Sequence, residues 1–443
     1  MSKKSHWEKK TIFELGHQSK LTVQTGPFGS QLHSDDYLEE GIPFLLIRNI
    51  GPNGLLTNDL PRISEQDAQR LARYSLQVGD IVFSRVGRVG SCFLVTDEQA
   101  GWIISGQTLR IRVPYDNLEP RYFLYALLDQ KSQEFISGAS VGTTRTSINT
   151  SILESLPIQL PPLLEQRKIA NILTTIDNLI EKTEALIAKY QTIKQGMMHD
   201  LFTRGVDAAG KLRPTFEDAP ELYKESAIGW IPKEWEESVV ANQLVCIEQG
   251  KSPECDSEPA APGEWGILKT TAVVWDGYNS LENKRLPSKL KPNFQYEVKV
   301  GDVFITRGGP NSRVGVVAYV YSTQEKLMMS DKLYRLVPKS SIDAEFLSLA
   351  LSSESTQTYL STLKTGLAES QTNISQTIVR KLIIPVPEKL EQRKIIDRVA
   401  SVRGLIDKEK NNLRKLRSQK SGLMQDLLTG KVRVTVDTAA ASP

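Results

Sequence analysis

Little in this chain of 443 residues lends itself to metal, redox or hydrolytic chemistry. It has three cysteines, Cys92, Cys246 and Cys255, none in a CxxC pair, too few and too irregular for a disulfide framework. The four histidines, His6, His17, His33 and His199, share no HxxxH or HExxH spacing, so no metal site is expected. No run of eighteen apolar residues exists, so no membrane-spanning helix is expected. The start, MSKKSHWEKKTIFEL, is basic but lacks an apolar stretch and a small-residue cleavage site, and a cytoplasmic chain is expected. A formal net charge of +3 is weak, so a nucleic-acid footprint, if there is one, must be local. Catalytic signatures are equally sparse. RVGRVG from Arg85 has neither the GK[ST] ending of a phosphate loop nor GxGxxG spacing, and there is no GxSxG elbow. PPLLEQ from Pro161 is not the Asn-Pro-Pro-aromatic or Asp-Pro-Pro-Tyr cluster of amino-methyltransferases. PECDSEP, around Glu254, reads as a loop, since a nuclease would need a following Glu-x-Lys on a strand.

What the chain does have is itself, twice. EQRKI occurs at Glu165 and again at Glu391, and a shift of about 226 residues aligns much more. LPIQLPPLLEQRKI lies over LIIPVPEKLEQRKI, and DLFTRG from Asp200 over DLLTGK from Asp426. GDIVFSRVGRVG from Gly79 lies over GDVFITRGGPNSRVG from Gly301, and the stretches around Trp7 and Trp235 correspond loosely. Each unit is a variable region followed by a more strictly repeated segment.

The repeated segment reads as a long helix. After Pro161 and Pro162 no proline or glycine interrupts the chain until Gly196, and after Pro387 only Gly404 does before Gly422. Apolar positions, interrupted by the polar Thr183 and Lys194, recur at alternating steps of three and four: Leu173, Ile176, Ile180, Thr183, Ile187, Tyr190, Lys194, Met197 and Leu201. The second copy repeats the stripe from Val399 through Val402, Ile406, Glu409, Leu413, Leu416, Lys420 and Leu423 to Leu427. A heptad seam of that length predicts a coiled coil, and two related halves predict an antiparallel pair about a pseudo-two-fold axis. The alternative is that each helix packs on its own domain.

The variable regions mix short β-like runs (IPFLLIRNI, GDIVFSR, WIISGQTLRIRV; then GDVFITR, VGVVAYVY, KLYRLVP) with one helical stretch each, YFLYALLDQKSQEFI and AEFLSLALSSESTQTYLSTL. The fold class expected is therefore α+β. Two mixed α/β domains, 1–155 and 216–380, alternate with a long helix and linker at 156–215 and a second long helix at 381–434, before a flexible tail at 435–443.

Basic and amide side chains gather in the loops beside the strands. Arg85 and Arg307 end equivalent strands and open glycine-rich loops that also carry Arg88 and Arg313. Each arginine could simply pair with a surface acid, or could aim its planar fork at a phosphate or at guanine N7 and O6. GTTRTSINTS and GLAESQTNIS offer Thr144, Arg145 and Ser147 in one half and Ser370, Gln371 and Asn373 in the other. These could serve as caps and turns, or could contact base edges. Arg48, Asn49, Lys269 and Lys332 are further candidates of the same kind.

Two variable regions alternating with EQRKI helices, TGPFGSQL near Gly26, the GDIxF-R-xG turn, GW-IP-xxW from Gly229 and a DLLTGKVRV ending together resemble the specificity subunit of type I restriction-modification systems, over nearly the whole chain. The resemblance implies two target recognition domains, each reading one half of a bipartite, asymmetric sequence in double-stranded DNA. They would be separated by an antiparallel coiled coil, in which about 40 residues at 1.5 Å each span about 60 Å. It implies no catalysis and no cofactor on this chain. S-adenosylmethionine would sit on two methyltransferase (modification) subunits, and ATP and Mg on two restriction/motor subunits, the assembly acting in DNA methylation and phage defence. Glu165, Arg167, Glu391 and Arg393 would then serve subunit docking. Two rival readings stay open: a nucleic-acid enzyme built on the carboxylates around Glu254, and a coiled-coil scaffold that binds no DNA.

Overall fold

A computed structural model describes residues 7–27, 31–51, 54–114, 118–139, 147–364 and 372–436. The chain forms two compact units, Met1–Ala185 with Lys410–Pro443, and Leu186–Glu409. Packing, rather than chain order, draws this division. Each long helix gives its first part to one unit and its last part to the other: Leu173 and Leu427 join the core of the first unit, Leu201 and Val399 that of the second.

The units share one topology. In the first, a four-stranded antiparallel sheet runs in the order Thr22–Thr25, Thr108–Arg112, Ile81–Ser84, Cys92–Leu94. In the second the order is Leu244–Gln249, Leu333–Pro338, Val303–Thr306, Val317–Tyr319. The middle strands IVFS and VFIT are buried at every position, since both sheet faces are covered. Ile81 and Phe83 face the helices, and Val82 faces a second cluster with Phe44, Leu45 and Ile104. Val303 and Ile305 take one side in the second unit and Phe304 the other. The turn ahead of each such strand is made by Asp80 and Asp302, whose carboxylates accept the N–H groups of Gln77 and Lys299 at 2.8 Å. Burial raises the Asp302 carboxyl above its ordinary value, opposed by that N–H and by Arg335 at 3.2 Å.

Three expected elements are subdivided. WIISGQTLRIRV is two strands, Ile103–Ile104 and Thr108–Arg112, parted by a turn at Ser105 to Gln107. The helical stretches break at Asp129 and Ser353, giving Pro120–Leu128 with Gln130–Ala139, and Ala344–Ser352 with Glu354–Leu363. Ser353 is extended and caps the following helix through Thr356 N, so a polar cap outweighs the apolar periodicity that crosses it.

The long helices run Leu163–Thr203 and Lys389–Leu428, the latter continuing through an exposed Gly404. Every seam position is buried or half-buried. Within the first unit Asp177 meets Lys420 at 2.7 Å and Glu184 meets Arg417 at 2.6 Å, so the two helical segments run antiparallel. Within the second, Leu201 and Phe202 share a core with Ile395 and Val399.

EQRKI is repeated because each unit uses it as the same three-way joint. The glutamine is 1% exposed in both copies. Gln166 donates to Pro161 O and accepts from Glu119 N, at the start of the helix Pro120–Leu128; Gln392 donates to Pro387 O and accepts from Asp343 N, at the start of Ala344–Ser352. The glutamate takes the end of the other long helix. Glu391 accepts from Val206 N at 2.8 Å and from both Arg213 terminal nitrogens at 2.6 and 3.1 Å. Glu165 accepts from the Trp7 indole at 3.1 Å and lies 3.7 Å from Arg433, whose guanidinium covers the Trp7 ring. Gly205 and Gly430, at φ 63° and 71°, let the helix ends turn into these joints. A Cβ on Gly205 would lie 2.3 Å from the Trp235 ring.

Candidate nucleic-acid interface

At one end of each four-stranded sheet the same set of loops converges. Arg85 and Arg307 close their strands identically in the backbone. Arg85 N donates to Gln107 O and its carbonyl accepts from Ile148 N; Arg307 N donates to Lys332 O and its carbonyl accepts from Ile374 N. Those cross-ties hold the loop after each arginine against Ser147 and Ile148 in one unit and Thr372 to Ile374 in the other. Val86 pairs with Ser147, and Gly308 with Asn373.

The two guanidinium groups differ. Arg85 Nε donates to Ile148 O at 3.1 Å, and its Nη1 reaches Thr25 Oγ1 and Gly106 O, each at 3.4 Å. It braces its own unit. Arg307 lies over the Tyr334 ring at 5.3 Å, and its buried Nε has no hydrogen-bond partner. The loops themselves are anchored alike. Ser84 Oγ donates to Arg88 O, and Thr306 Oγ1 donates to Arg313 O at 2.5 Å. Gln133 and Gln357 donate to Gly90 O and Gly315 O at 3.1 and 3.0 Å. Arg88 and Arg313 are thereby held out on exposed, fixed loops.

The other sequence candidates separate cleanly. Ser147, Asn373 and Lys332 join the arginines at this sheet end. Lys332 is exposed and lies 3.8 Å from Asp331. Thr144, Arg145, Ser370 and Gln371 lie outside the described residues. Asn49 requires a correction: it is 0% exposed, accepts from Leu46 N, and donates to Leu56 O and Asn58 O, so its amide shapes its own turn, both donors are spent there, and burial keeps it from a base edge. Arg48 pairs with Asp59 at 3.2 Å and Lys269 with Glu282 at 3.9 Å, both solvent-facing pairs of the weak kind. Of the residues expected to dock partners, Glu165 and Glu391 have their carboxylates engaged inside the joints. Arg167 and Arg393 lie 3.9 and 3.7 Å from Glu119 and Asp343 and keep 53% and 70% of their side chains exposed. Glu254 is exposed in a loop. Among the described residues no cluster of His, Cys, Asp or Glu could hold a metal ion, and no helix is long and apolar enough to cross a membrane.

Sequence reasoning missed Gln107, Thr25 and Gln249. The turn that carries Gln107 is hidden inside an apolar run, and the only signal was its SGQ tripeptide lying over SDK in the second half.

The comparisons agree with this duplicated architecture. The model of the type I restriction modification DNA specificity domain matches residues 5–190 and again 232–417. The chain is 41% identical over 186 residues to the EcoEI specificity subunit of Escherichia coli, covering 41% of this chain and 31% of that protein. It is 27% identical over 412 residues to the MjaVIII specificity subunit of Methanocaldococcus jannaschii, covering 90% and 85%. In fold it is similar to the S subunit of a type I restriction-modification system from M. genitalium, at a TM-score of 0.56 and 19% identity over 98% of both chains. Two matched domains, two units of one topology and one set of loops at the same sheet end in each place the chain in the type I restriction modification DNA specificity family.

Proposed function

We propose that this chain is the DNA specificity subunit of a type I restriction-modification complex, each unit reading one half of a bipartite target in double-stranded DNA. The observation that carries this reading is the repeated sheet end. The same backbone ties hold Arg85 with Gln107 in one unit and Arg307 with Lys332 in the other, while the exposed side chains differ. One scaffold presenting two sets of side chains suits two unlike half-sites, and so an asymmetric target. The exposed Arg88 and Arg313 suit phosphate contacts that set register.

The chain recognises DNA and leaves the chemistry to its partners. Two methyltransferase subunits would carry S-adenosylmethionine, and two restriction/motor subunits would carry ATP and Mg, the whole acting in the cytoplasm. Arg167 and Arg393 beside the joints are the residues best exposed for docking the methyltransferase subunits. Mapping methylated adenines genome-wide, with and without the gene for this chain, tests the proposal. One bipartite motif should vanish on deletion; an unchanged methylation pattern refutes the reading.

A further inference from the structure

We propose that Gln107 and Lys332 are equivalent base-reading positions, Gln107 recognising an adenine edge in one half-site and Lys332 a guanine edge in the other. This rests on the reading of the chain as a DNA specificity subunit.

The two positions occupy one backbone geometry. Each is the last residue of a turn, immediately ahead of the sheet strands Thr108–Arg112 and Leu333–Pro338. In both, the carbonyl of the residue accepts the N–H of the strand-ending arginine, at 3.2 Å from Arg85 and 2.8 Å from Arg307. In both, the preceding carbonyl is held from the edge strand: Thr25 Oγ1 donates to Gly106 O at 3.4 Å, and Gln249 Nε2 to Asp331 O at 3.3 Å. Two residues before each position stands a serine, Ser105 or Ser330, whose buried hydroxyl has no hydrogen-bond partner. Against each serine lies a glycine that admits no side chain. A Cβ on Gly26 would sit 2.3 Å from Ser105 O, and one on Gly250 would sit 2.8 Å from Ser330 O and 2.0 Å from Met329 O. The turn is thus fixed at the same points in both units.

On that fixed turn the side chains alone change. Gln107 is exposed and presents a primary amide, a donor and an acceptor side by side. That pair complements the N6 donor and N7 acceptor of adenine in the major groove. Lys332 is exposed and presents an ammonium, donor only, which complements the N7 and O6 acceptors of guanine. The neighbours differ as well. Beside Gln107, Arg85 spends its guanidinium donors on Ile148 O, Thr25 Oγ1 and Gly106 O, whereas beside Lys332 the Arg307 Nε has no partner and Asp331 lies 3.8 Å from the ammonium.

The experiment uses the full chain assembled with its methyltransferase subunits, carrying Gln107→Lys, Lys332→Gln or Gln107→Ala. Genome-wide maps of methylated adenine give the target of each. Gln107→Lys should change one base of one half-site from A to G and leave the other half-site and the gap intact; Lys332→Gln should make the reverse change in the other half. Gln107→Ala, which only shortens an exposed side chain, should relax that base, with discrimination in oligonucleotide binding falling about 10- to 100-fold. An unchanged target in all three variants overturns the proposal. So does equal weakening on every sequence with a shallower salt dependence, because that marks a phosphate contact. If the unaltered complex shows no sequence-dependent methylation, the DNA-specificity reading fails instead, so the two failures are distinguishable.

Discussion

Replacing Glu391 by alanine should loosen the joint between the end of the first long helix and the start of the second, by an amount the structure sets. The carboxylate is 12% exposed and Arg213 is 11% exposed, so the pair is largely removed from water. Burial works against the charge on Arg213, but the hydrogen bonds and charges of Glu391 and Glu234 together outweigh it, and the guanidinium is held more firmly protonated than usual. Truncation takes the acceptor from Val206 N–H and from both Arg213 terminal nitrogens. Val206 N–H loses its acceptor, at a cost of about 1–3 kcal/mol. Arg213 keeps the Arg204 carbonyl at 3.3 Å and Glu234, which is 75% exposed and worth little. Removing one side of a buried pair costs about 3–5 kcal/mol, and with Glu234 remaining we expect about 3 kcal/mol. Hydrogen exchange read by mass spectrometry reports this locally. The peptide spanning 199–213 should exchange roughly 100-fold faster, since about 1.4 kcal/mol is tenfold. Glu391→Gln keeps an acceptor for Val206 and should lose about half as much. Arg213→Ala combined with Glu391→Ala should cost about 2 kcal/mol less than the sum of the two alone. Acceleration below five-fold, or additive single changes, would refute the joint as an energetic unit.

Three further outcomes follow from the same geometry. Gln166→Ala and Gln392→Ala each remove a buried amide that both donates and accepts, and should lower urea stability by about 2–3 kcal/mol, where a surface glutamine would cost under about 0.5 kcal/mol. Arg88→Ala and Arg313→Ala should leave the melting temperature unchanged, yet each should weaken DNA binding alike on all sequences and reduce the slope of log K against log salt by about 1, measured by anisotropy of the assembled complex. Gly250→Ala drives a Cβ into Met329 O and should cost about 1–3 kcal/mol, with methylation mapping showing relaxed sequence preference in one half-site only.

Much of the fold is legible in the residues because it obeys local rules. The seam from Leu173 to Leu201, the strands around Ile81 and Val303, and the turns at Asp80 and Asp302 depend on periodicity or on one residue's own backbone preference. Asn49 was misread because a polar residue beside Arg48 looks exposed in sequence, whereas three hydrogen bonds to its own turn bury it. The breaks at Asp129 and Ser353 were hidden because apolar spacing carries across a cap.

Two copies of one unit, the start of each long helix and its apolar face can be read from the residues alone. Those properties repeat along the chain and need no knowledge of what lies opposite. The use of EQRKI, and which of many loop side chains stand together at the sheet end, come instead from packing between distant elements. Glu391 meets Arg213 across 178 residues, and Gln392 meets Asp343 across 49. Such partners are chosen by how the elements pack, and no local propensity encodes that choice.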